Sequence, residues 1–195
     1  LIWLNVSGLY ASAGKGLEIA FFEVSNVITT TGFGITDLTV WPLFSQVILL
    51  ILMFIGGSAG STAGGFKVMR ALILTKISKN QVLSSLYPNR VMTIHVNQQP
   101  LDKETQHSVL KYLSLYVTCL LVLTLFLSLD NSDFMVVASA AASTFNNIGP
   151  LLGTDQTFNI FSPFSKLLMS FAMIAGRLEI FPILLLFIPK TWSKY

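Results

Sequence analysis

Two stretches of this chain resemble degenerate copies of one unit, and this internal repeat constrains the fold more than any other feature. The first copy reads VITTTGF at residues 27–33, and Pro-Leu-Phe-Ser at 42–45 then opens a long apolar run. The second copy reads STFNNIGP at residues 143–150, and Pro-Phe-Ser at 163–165 opens another apolar run. A unit that recurs in the same order predicts an architecture built from repeats.

Each copy begins with a short apolar segment, at residues 16–28 and 134–144. A helix of 13 residues reaches only about 20 Å, whereas the hydrocarbon core of a bilayer is about 30 Å thick. The sequence therefore predicts two segments that enter the membrane, turn at a glycine and leave again. Such re-entrant turns suit an ion filter, where backbone carbonyls replace the water around an ion. The repetition favours this interpretation over ordinary loops.

Composition independently indicates a membrane protein. The chain is 53% hydrophobic and 11% charged, with a mean hydropathy of +0.70, whereas soluble domains are about one quarter charged. Residues 109–129 form an uninterrupted apolar run long enough to span a bilayer. Residues 76–107 are the most polar stretch and are predicted to be a loop outside the membrane. The chain opens without Met, so we expect it to be a piece of a longer protein.

Basic residues set the expected orientation. Six of them lie in or beside the polar stretch: Lys67, Arg70, Lys76, Lys79, Arg90 and Lys103. Cytoplasmic loops of membrane proteins carry an excess of Lys and Arg. The polar stretch and the C-terminus are therefore predicted to be cytoplasmic, and the two glycine turns to open toward the outside.

Residues 56–65, GGSAGSTAGG, lie about 13 residues into an apolar segment. Gly56, Gly60 and Gly64 have the spacing of a small-residue helix contact, which is one interpretation. The other is a break in the helix, since glycine destabilises helix by about 1 kcal/mol relative to alanine. Five glycines with two serines and a threonine favour the break. Backbone exposed by a break must line a cavity or be buried in protein.

Arg177 lies about 13 residues into the last apolar run, which extends from Phe164 to Ile188. A central arginine costs about 2.5–3.5 kcal/mol on insertion scales and is a functional candidate. Glu179 is two residues away and therefore does not share a helix face with it. Arg177 is interpreted either as a fixed positive charge in an ion path or as half of an ion pair with another helix. Its depth suggests that it meets residues 56–65.

Four motifs together resemble the Trk/Ktr/HKT superfamily of potassium transporters, most closely its bacterial TrkH/TrkG branch. They are TTTGF at 29–33, GGSAGSTAGGFK at 56–67, FNNIGP at 145–150 and GRLE at 176–179. The resemblance implies an all-α integral membrane protein built from helix–pore loop–helix repeats, here with two re-entrant pore helices and a broken inner helix. It divides the chain into a third repeat at 1–75, a cytoplasmic linker at 76–107 and a fourth repeat at 108–195.

The resemblance also implies the site residues. It assigns the selectivity filter to Thr30, Thr31, Gly32, Phe33, Asn147, Ile148 and Gly149, with K⁺ held at Thr31, Gly32, Ile148 and Gly149. It assigns the gate to Gly56, Gly57, Ser58, Ala59, Gly60, Ser61, Thr62, Ala63, Gly64, Gly65 and Arg177. Asn146-Asn147 departs from the Thr-x-Thr-Gly pattern of simpler potassium filters, as in the TrkH branch.

The implied activity is K⁺ uptake across the bacterial cytoplasmic (inner) membrane by a multi-pass subunit, with K⁺ as the transported ion and no bound cofactor. The implied partners are a second copy, a cytoplasmic nucleotide-binding (TrkA-like) regulatory subunit and the lipid bilayer, with no nucleic acid. Two of four filter segments cannot enclose an ion, so the chain alone is not expected to conduct.

Two other classes compete with a K⁺ pore. One is a secondary transporter of another cation, coupled to Na⁺ or H⁺, which binds substrate at broken helices. Re-entrant segments near one face argue against it. The other is a membrane enzyme, which would need a convergent acid, base or nucleophile set. His95, His107 and Cys119 belong to no such set in the sequence, so the chain is predicted not to be an enzyme.

Overall fold

A computed structural model of the chain describes residues 1–58, 60–61, 63–87, 94–96, 99–130, 133–154 and 157–177. Within them the chain forms seven α-helices, three single-turn 3₁₀-helices and two short strands. The helices are α1 Ile2–Val6, α2 Ala13–Thr29, α3 Leu43–Ile55, α4 Val68–Leu86, α5 Lys103–Leu127, α6 Phe134–Phe145 and α7 Pro163–Arg177. The 3₁₀-helices are Ser7–Leu9, Leu38–Val40 and Phe158–Ile160. Strands β1 His95–Val96 and β2 Gln99–Pro100 pair antiparallel, with His95 opposite Pro100.

Helices α1, α2 and α3 pack together in the first half of the chain. Ser12 caps α2 by accepting a hydrogen bond from the backbone N–H of Lys15. The shared core contains Val6, Val27 and Leu49, all fully buried. This packing places the C-terminal end of α2 beside α3, and the first glycine turn follows directly from it.

Helix α6 is the most buried element of the second half, and α5, α7 and α3 all pack against it. Ala140, Ala141 and Ala142 have no exposed surface. Their small side chains allow neighbouring helices to approach closely. Because α3 belongs to the first half, its contact with α6 joins the two halves.

The polar stretch is not one loop, so that prediction is wrong at both ends. Helix α4 extends to Leu86, and α5 already begins at Lys103. Lys, Gln and Leu are good helix formers, and they favour helix even where no apolar face repeats. A connection with β1 and β2 remains between the two helices. The domain boundaries at 75 and 108 stay predictions.

Helix α5 has 25 residues, and its most apolar window has a mean hydropathy of 2.0. It is the one helix within the described residues that is long and apolar enough to cross a membrane. Helices α3 and α6 are shorter apolar helices. The part of the predicted last span beyond Arg177, with Leu178, Glu179 and Ile188, lies outside the described residues.

Candidate functional site

The two glycine turns, residues 29–33 (first turn) and 146–150 (second turn), share positive φ at two matching positions. Thr30 has φ 55° and Asn147 has φ 56°, and Gly32 and Gly149 both have positive φ, 85° and 115°. The left-handed region is unusual for a β-branched residue such as Thr30. Its recurrence at matching positions indicates that both turns are built to the same plan.

The backbone hydrogen bonds of the turns also match. The amide of Thr31 donates to the carbonyl of Asn26 at 3.1 Å, and the amide of Ile148 donates to the carbonyl of Ser143 at 2.9 Å. Each bond closes the end of the preceding helix over the turn. The amides of Thr30 and Asn147 likewise donate to carbonyls three residues earlier.

Buried polar side chains of α2 hold the segment that follows the first turn. Asn26 Oδ1 accepts the backbone N–H of Phe33 at 2.9 Å, and Glu23 Oε1 accepts that of Ile35 at 2.8 Å. Glu23 and Asn26 are 0% and 4% exposed. Buried polar groups require such partners, so these contacts fix the segment against α2.

Serines of α6 hold the second turn in a related way. Ser143 Oγ accepts the backbone N–H of Gly149 at 2.9 Å, and Ser139 Oγ accepts that of Leu152 at 3.0 Å. Pro150 stands where Phe33 stands in the first turn and has no N–H to donate. Ser143 of α6 therefore binds the amide of Gly149, the residue before Pro150, whereas Asn26 of α2 binds the amide of Phe33 itself.

The two turns meet at their glycines. A Cβ added to Gly149 would lie 3.1 Å from the Cα of Gly32, and one added to Gly32 would lie 3.0 Å from the carbonyl oxygen of Ile148. Side chains at these positions would be both crowded and strained, because positive φ favours glycine. The structure thus brings together two turns that are more than a hundred residues apart in the sequence.

Both turns line one cavity of about 540 Å³ together with α7. Its lining includes seven predicted site residues: Thr30, Thr31, Gly32, Asn147, Ile148, Gly149 and Arg177. Phe33 does not line the cavity, and its side chain is exposed. Lys166 and Met169 of α7 complete one wall.

The backbone carbonyls of the two turns belong to residues that line the cavity. Among the residues that the structure describes, no donor forms a hydrogen bond with the carbonyls of residues 30–32 or 147–149. Carbonyl oxygens without a hydrogen-bond partner beside a cavity can coordinate a cation that has shed its water.

Residues 56–65, the glycine run, leave the helix at Ile55 and form a loop with a buried neck and an exposed tip. The neck is residues 56–57 and 64–65, and the tip is Ser58, Gly60 and Ser61. The amide of Phe66 donates to Phe54 at 3.2 Å, and the amide of Val68 donates to Gly57 at 3.0 Å. These bonds close the loop at its base. Of the predicted gate residues, Ala59 and Thr62 lie outside the described part, and Ala63 is half-buried.

The neck touches the second turn through Asn146, which the sequence did not single out as a site residue. A Cβ on Gly64 would overlap the carbonyl of Asn146. Asn146 Nδ2 donates to the carbonyl of Met53 in α3 at 2.9 Å, and Tyr116 Oη donates to Asn146 Oδ1 at 2.9 Å. The one available signal was the paired asparagines at 146–147.

Arg177, the last described residue, lies with Asn147 at the cavity. Asn147 Nδ2 donates to the carbonyl of Met173 at 2.9 Å, and Gly176 lies against the carbonyl of Phe145. No described residue of the glycine run lines either cavity that Arg177 borders. Arg177 and the neck of the run share one neighbour, the second turn, and the meeting of Arg177 with the run stays a prediction.

Comparison with known proteins identifies the family. The TrkH family model, described as a cation transport protein, matches residues 9–194. This chain belongs to the TrkH family. The Trk system potassium uptake protein TrkH of Escherichia coli K12 is 37% identical over 196 residues, covering 100% of this chain and 40% of the relative. The TrkG protein of the same strain is 33% identical, covering 96% and 39%.

A solved structure agrees with this assignment. The crystal structure of the potassium transporter TrkH from Vibrio parahaemolyticus matches with a TM-score of 0.89 at 35% identity, covering 98% of this chain and 42% of that chain. The chain thus spans about two fifths of the length of the relatives it matches. The family predicted from the four motifs is confirmed, and so is the helical transporter fold.

Proposed function

We propose that this chain forms part of the ion pathway of a K⁺ uptake protein in the bacterial cytoplasmic membrane. The observation that carries the proposal is the contact between Gly32 and Gly149 in two turns with positive φ at matching positions. One turn with a left-handed residue before glycine is an ordinary feature. Two that converge on one cavity with unpaired carbonyls have the properties of a filter.

The substrate follows from the chemistry of the turns and from the relatives. Carbonyl oxygens bind cations that have shed their water, and residues 30–32 and 147–149 offer them without a carboxylate. The relatives from Escherichia coli are named potassium uptake proteins. We place K⁺ at Thr31, Gly32, Ile148 and Gly149.

A complete ring of carbonyls around an ion requires more turns than the two that this chain supplies. Two turns cover two sides of an ion, and Thr31 and Gly32 remain exposed here. The remaining length of the relatives supports a pathway completed by further turns of the same protein. In such a pathway α2 and α6 act as pore helices, and neither needs to cross the membrane.

The glycine run and Arg177 are proposed to control flux below the filter. The run has a closed neck and an exposed tip, so its tip can move without unfolding α3 or α4. Arg177 borders the cavity and supplies a positive charge that repels cations. A second copy and a cytoplasmic nucleotide-binding subunit are proposed partners of the full-length protein.

The test is cation uptake by the full-length protein in cells that lack other K⁺ uptake systems, and in vesicles with K⁺, Rb⁺ or Na⁺. Gly32→Ser and Gly149→Ser are expected to lower the K⁺/Na⁺ flux ratio, because both side chains crowd the facing turn. Gly14→Ser is the matched control, since a Cβ at Gly14 meets nothing within 4 Å.

Two outcomes contradict the proposal. Unchanged flux ratios in both turn variants, with normal expression, would remove the filter assignment. Uptake that depends on a Na⁺ or H⁺ gradient and ignores K⁺ would favour a secondary transporter of another cation.

A further inference from the structure

Asn146 makes contacts with three elements of the fold while having no exposed surface. We propose that Asn146 is the positioning residue through which the second turn and the neck of the glycine run hold each other in place. This inference rests on the proposed function of the turn as filter and of the run as gate. It predicts that ion selectivity and gating share one structural link.

The first contact of Asn146 is with the C-terminal end of helix α3. The last four carbonyls of a helix have no intrahelical partner. The carbonyl of Leu52 receives the amide of Gly56, and that of Phe54 receives the amide of Phe66. The carbonyl of Met53 instead receives Asn146 Nδ2 at 2.9 Å. A side chain of the second turn thus completes the helix end from which the glycine run departs.

The second contact is between backbones. Gly64 in the neck lies so close to the carbonyl of Asn146 that a Cβ would overlap it. Asn147, the next residue, lines the cavity and begins the left-handed step of the turn. Any displacement of the neck at Gly64 therefore acts directly on the backbone that leads to Ile148 and Gly149.

The third contact orients the amide. Tyr116 Oη donates to Asn146 Oδ1 at 2.9 Å, which leaves Nδ2 directed at Met53. The Tyr116 ring packs against Phe66, which follows the run, and against Phe145, which precedes Asn146, with centroids 5.8 and 5.2 Å apart. Tyr116 of helix α5 therefore contacts both the residue that follows the glycine run and the residue that precedes Asn146.

This arrangement distinguishes Asn146 from a merely buried asparagine. Asn146 Nδ2 binds the end of α3 beside the proposed gate, and its Oδ1 binds α5. Its backbone belongs to the proposed filter turn. Movement of the neck must either break the Asn146–Met53 bond or shift the residues that line the cavity. Selectivity and resting flux are then expected to change together when Asn146 is altered.

The experiment uses the full-length protein in vesicles and measures two quantities for each variant, the K⁺/Na⁺ flux ratio and the resting K⁺ flux. Asn146→Leu removes both side-chain bonds at similar volume, and Tyr116→Phe removes one bond while keeping the ring. The matched control is Gln46→Leu. Gln46 is also a buried amide that donates to backbone carbonyls, those of Leu38 and Trp41, but it contacts neither turn nor run.

We expect Asn146→Leu to change both quantities by more than about fivefold, because it loses two hydrogen bonds and the loss of one alone shifts an equilibrium by about that factor. Tyr116→Phe is expected to change both in the same direction by a smaller factor, and Gln46→Leu to change neither. Tyr116→Phe decides the matter if Asn146→Leu fails to accumulate.

Three results would overturn the inference: both quantities at wild-type values in a folded Asn146→Leu or Tyr116→Phe protein, a change in only one of the two, or an equal change in Gln46→Leu. Failure of the proposed function is distinguished by Gly149→Ser in the same vesicles. If Gly149→Ser lowers the flux ratio and the Asn146 and Tyr116 variants do not, the filter stands and only the link is wrong.

Discussion

Gly32 and Gly149 face each other so closely that a Cβ on Gly149 would lie 3.1 Å from the Cα of Gly32. Each glycine is the fourth residue of its turn, and each has positive φ. The two halves of the chain therefore meet at equivalent points. This contact makes one surface from two segments.

The first prediction concerns the support behind the first turn. Asn26→Leu removes the acceptor of the Phe33 amide, whose hydrogen bond to Asn26 Oδ1 is partly buried. The expected cost is about 0.5–1.5 kcal/mol in unfolding free energy, with a lower K⁺/Na⁺ flux ratio. Thermal unfolding in detergent and vesicle flux of the full-length protein measure the two effects. Thr118→Val serves as control, because that exposed hydroxyl bonds only within its own helix. A stable, fully selective Asn26→Leu protein would show that the turn does not need this support.

The second prediction separates the tip of the glycine run from its neck. Shortening the run at its exposed tip, Ser58, Gly60 and Ser61, leaves the base bonds of Phe66 and Val68 intact. The full-length protein should fold, show higher resting K⁺ flux and respond less to the proposed cytoplasmic nucleotide-binding subunit. Gly64→Ala should instead lower expression, since the added Cβ overlaps the carbonyl of Asn146. Wild-type flux and regulation in the shortened protein would reduce the run to a packing contact.

The third prediction concerns Arg177. A positive charge about 4 Å from a cation repels it by about 1 kcal/mol in bulk water and about 4 kcal/mol at an effective dielectric of 20. Arg177→Ala is therefore expected to raise cation flux by roughly fivefold to several hundredfold. Arg177→Lys should stay near wild type if charge alone matters. Vesicle flux at matched expression measures both.

The alternative role of Arg177 predicts the opposite result. If Arg177 pairs with a buried carboxylate, Arg177→Ala strands that charge and lowers expression or stability. A well-expressed Arg177→Ala protein with unaltered or lower flux would contradict the barrier role.

The fourth prediction concerns pH and the link between α5 and α7. The Ser165 hydroxyl, and next the backbone N–H of Ser162, hold the pKa of Asp130 below its ordinary value. A carboxylate whose folded pKa is lowered stabilises the protein above its unfolded pKa, and this stability is lost as pH falls through the folded value. Wild type should therefore lose more thermal stability than Asp130→Asn as pH falls below about 4. Identical slopes for the two proteins would show that the contact contributes nothing.

Much of the local structure was predictable because its causes are local. The apolar segment from Leu43 to Ile55 becomes helix α3 with those bounds, since Pro42 precedes it and Gly56 follows it. The two short segments before the turns are helices α2 and α6, although α2 begins at Ala13, where Ser12 supplies the cap. The extension of α4 to Leu86 was missed, because polar helices lack the apolar period that marks a span.

The positions of individual site residues were less predictable. The resemblance assigns Phe33 to the filter, and the structure shows its side chain exposed and outside the cavity, while its filter role stays a prediction. Asn146 was left out of the filter assignment although it is the more constrained of the two asparagines. Adjacent residues of a turn point in different directions, and nothing in the local sequence says which one is buried.

The sequence alone determined the two glycine turns and the breaks in the helices, because glycine, proline and apolar runs act on their own neighbours. Its four motifs also determined the family. What folding alone decides is which of these features touch. Asn146 finds Met53 across 93 positions and Tyr116 across 30. Gly32 meets Gly149 because α3 packs on α6 and thereby joins the halves. Such contacts depend on the packing of whole helices, and the short-range patterns of a sequence do not contain that information.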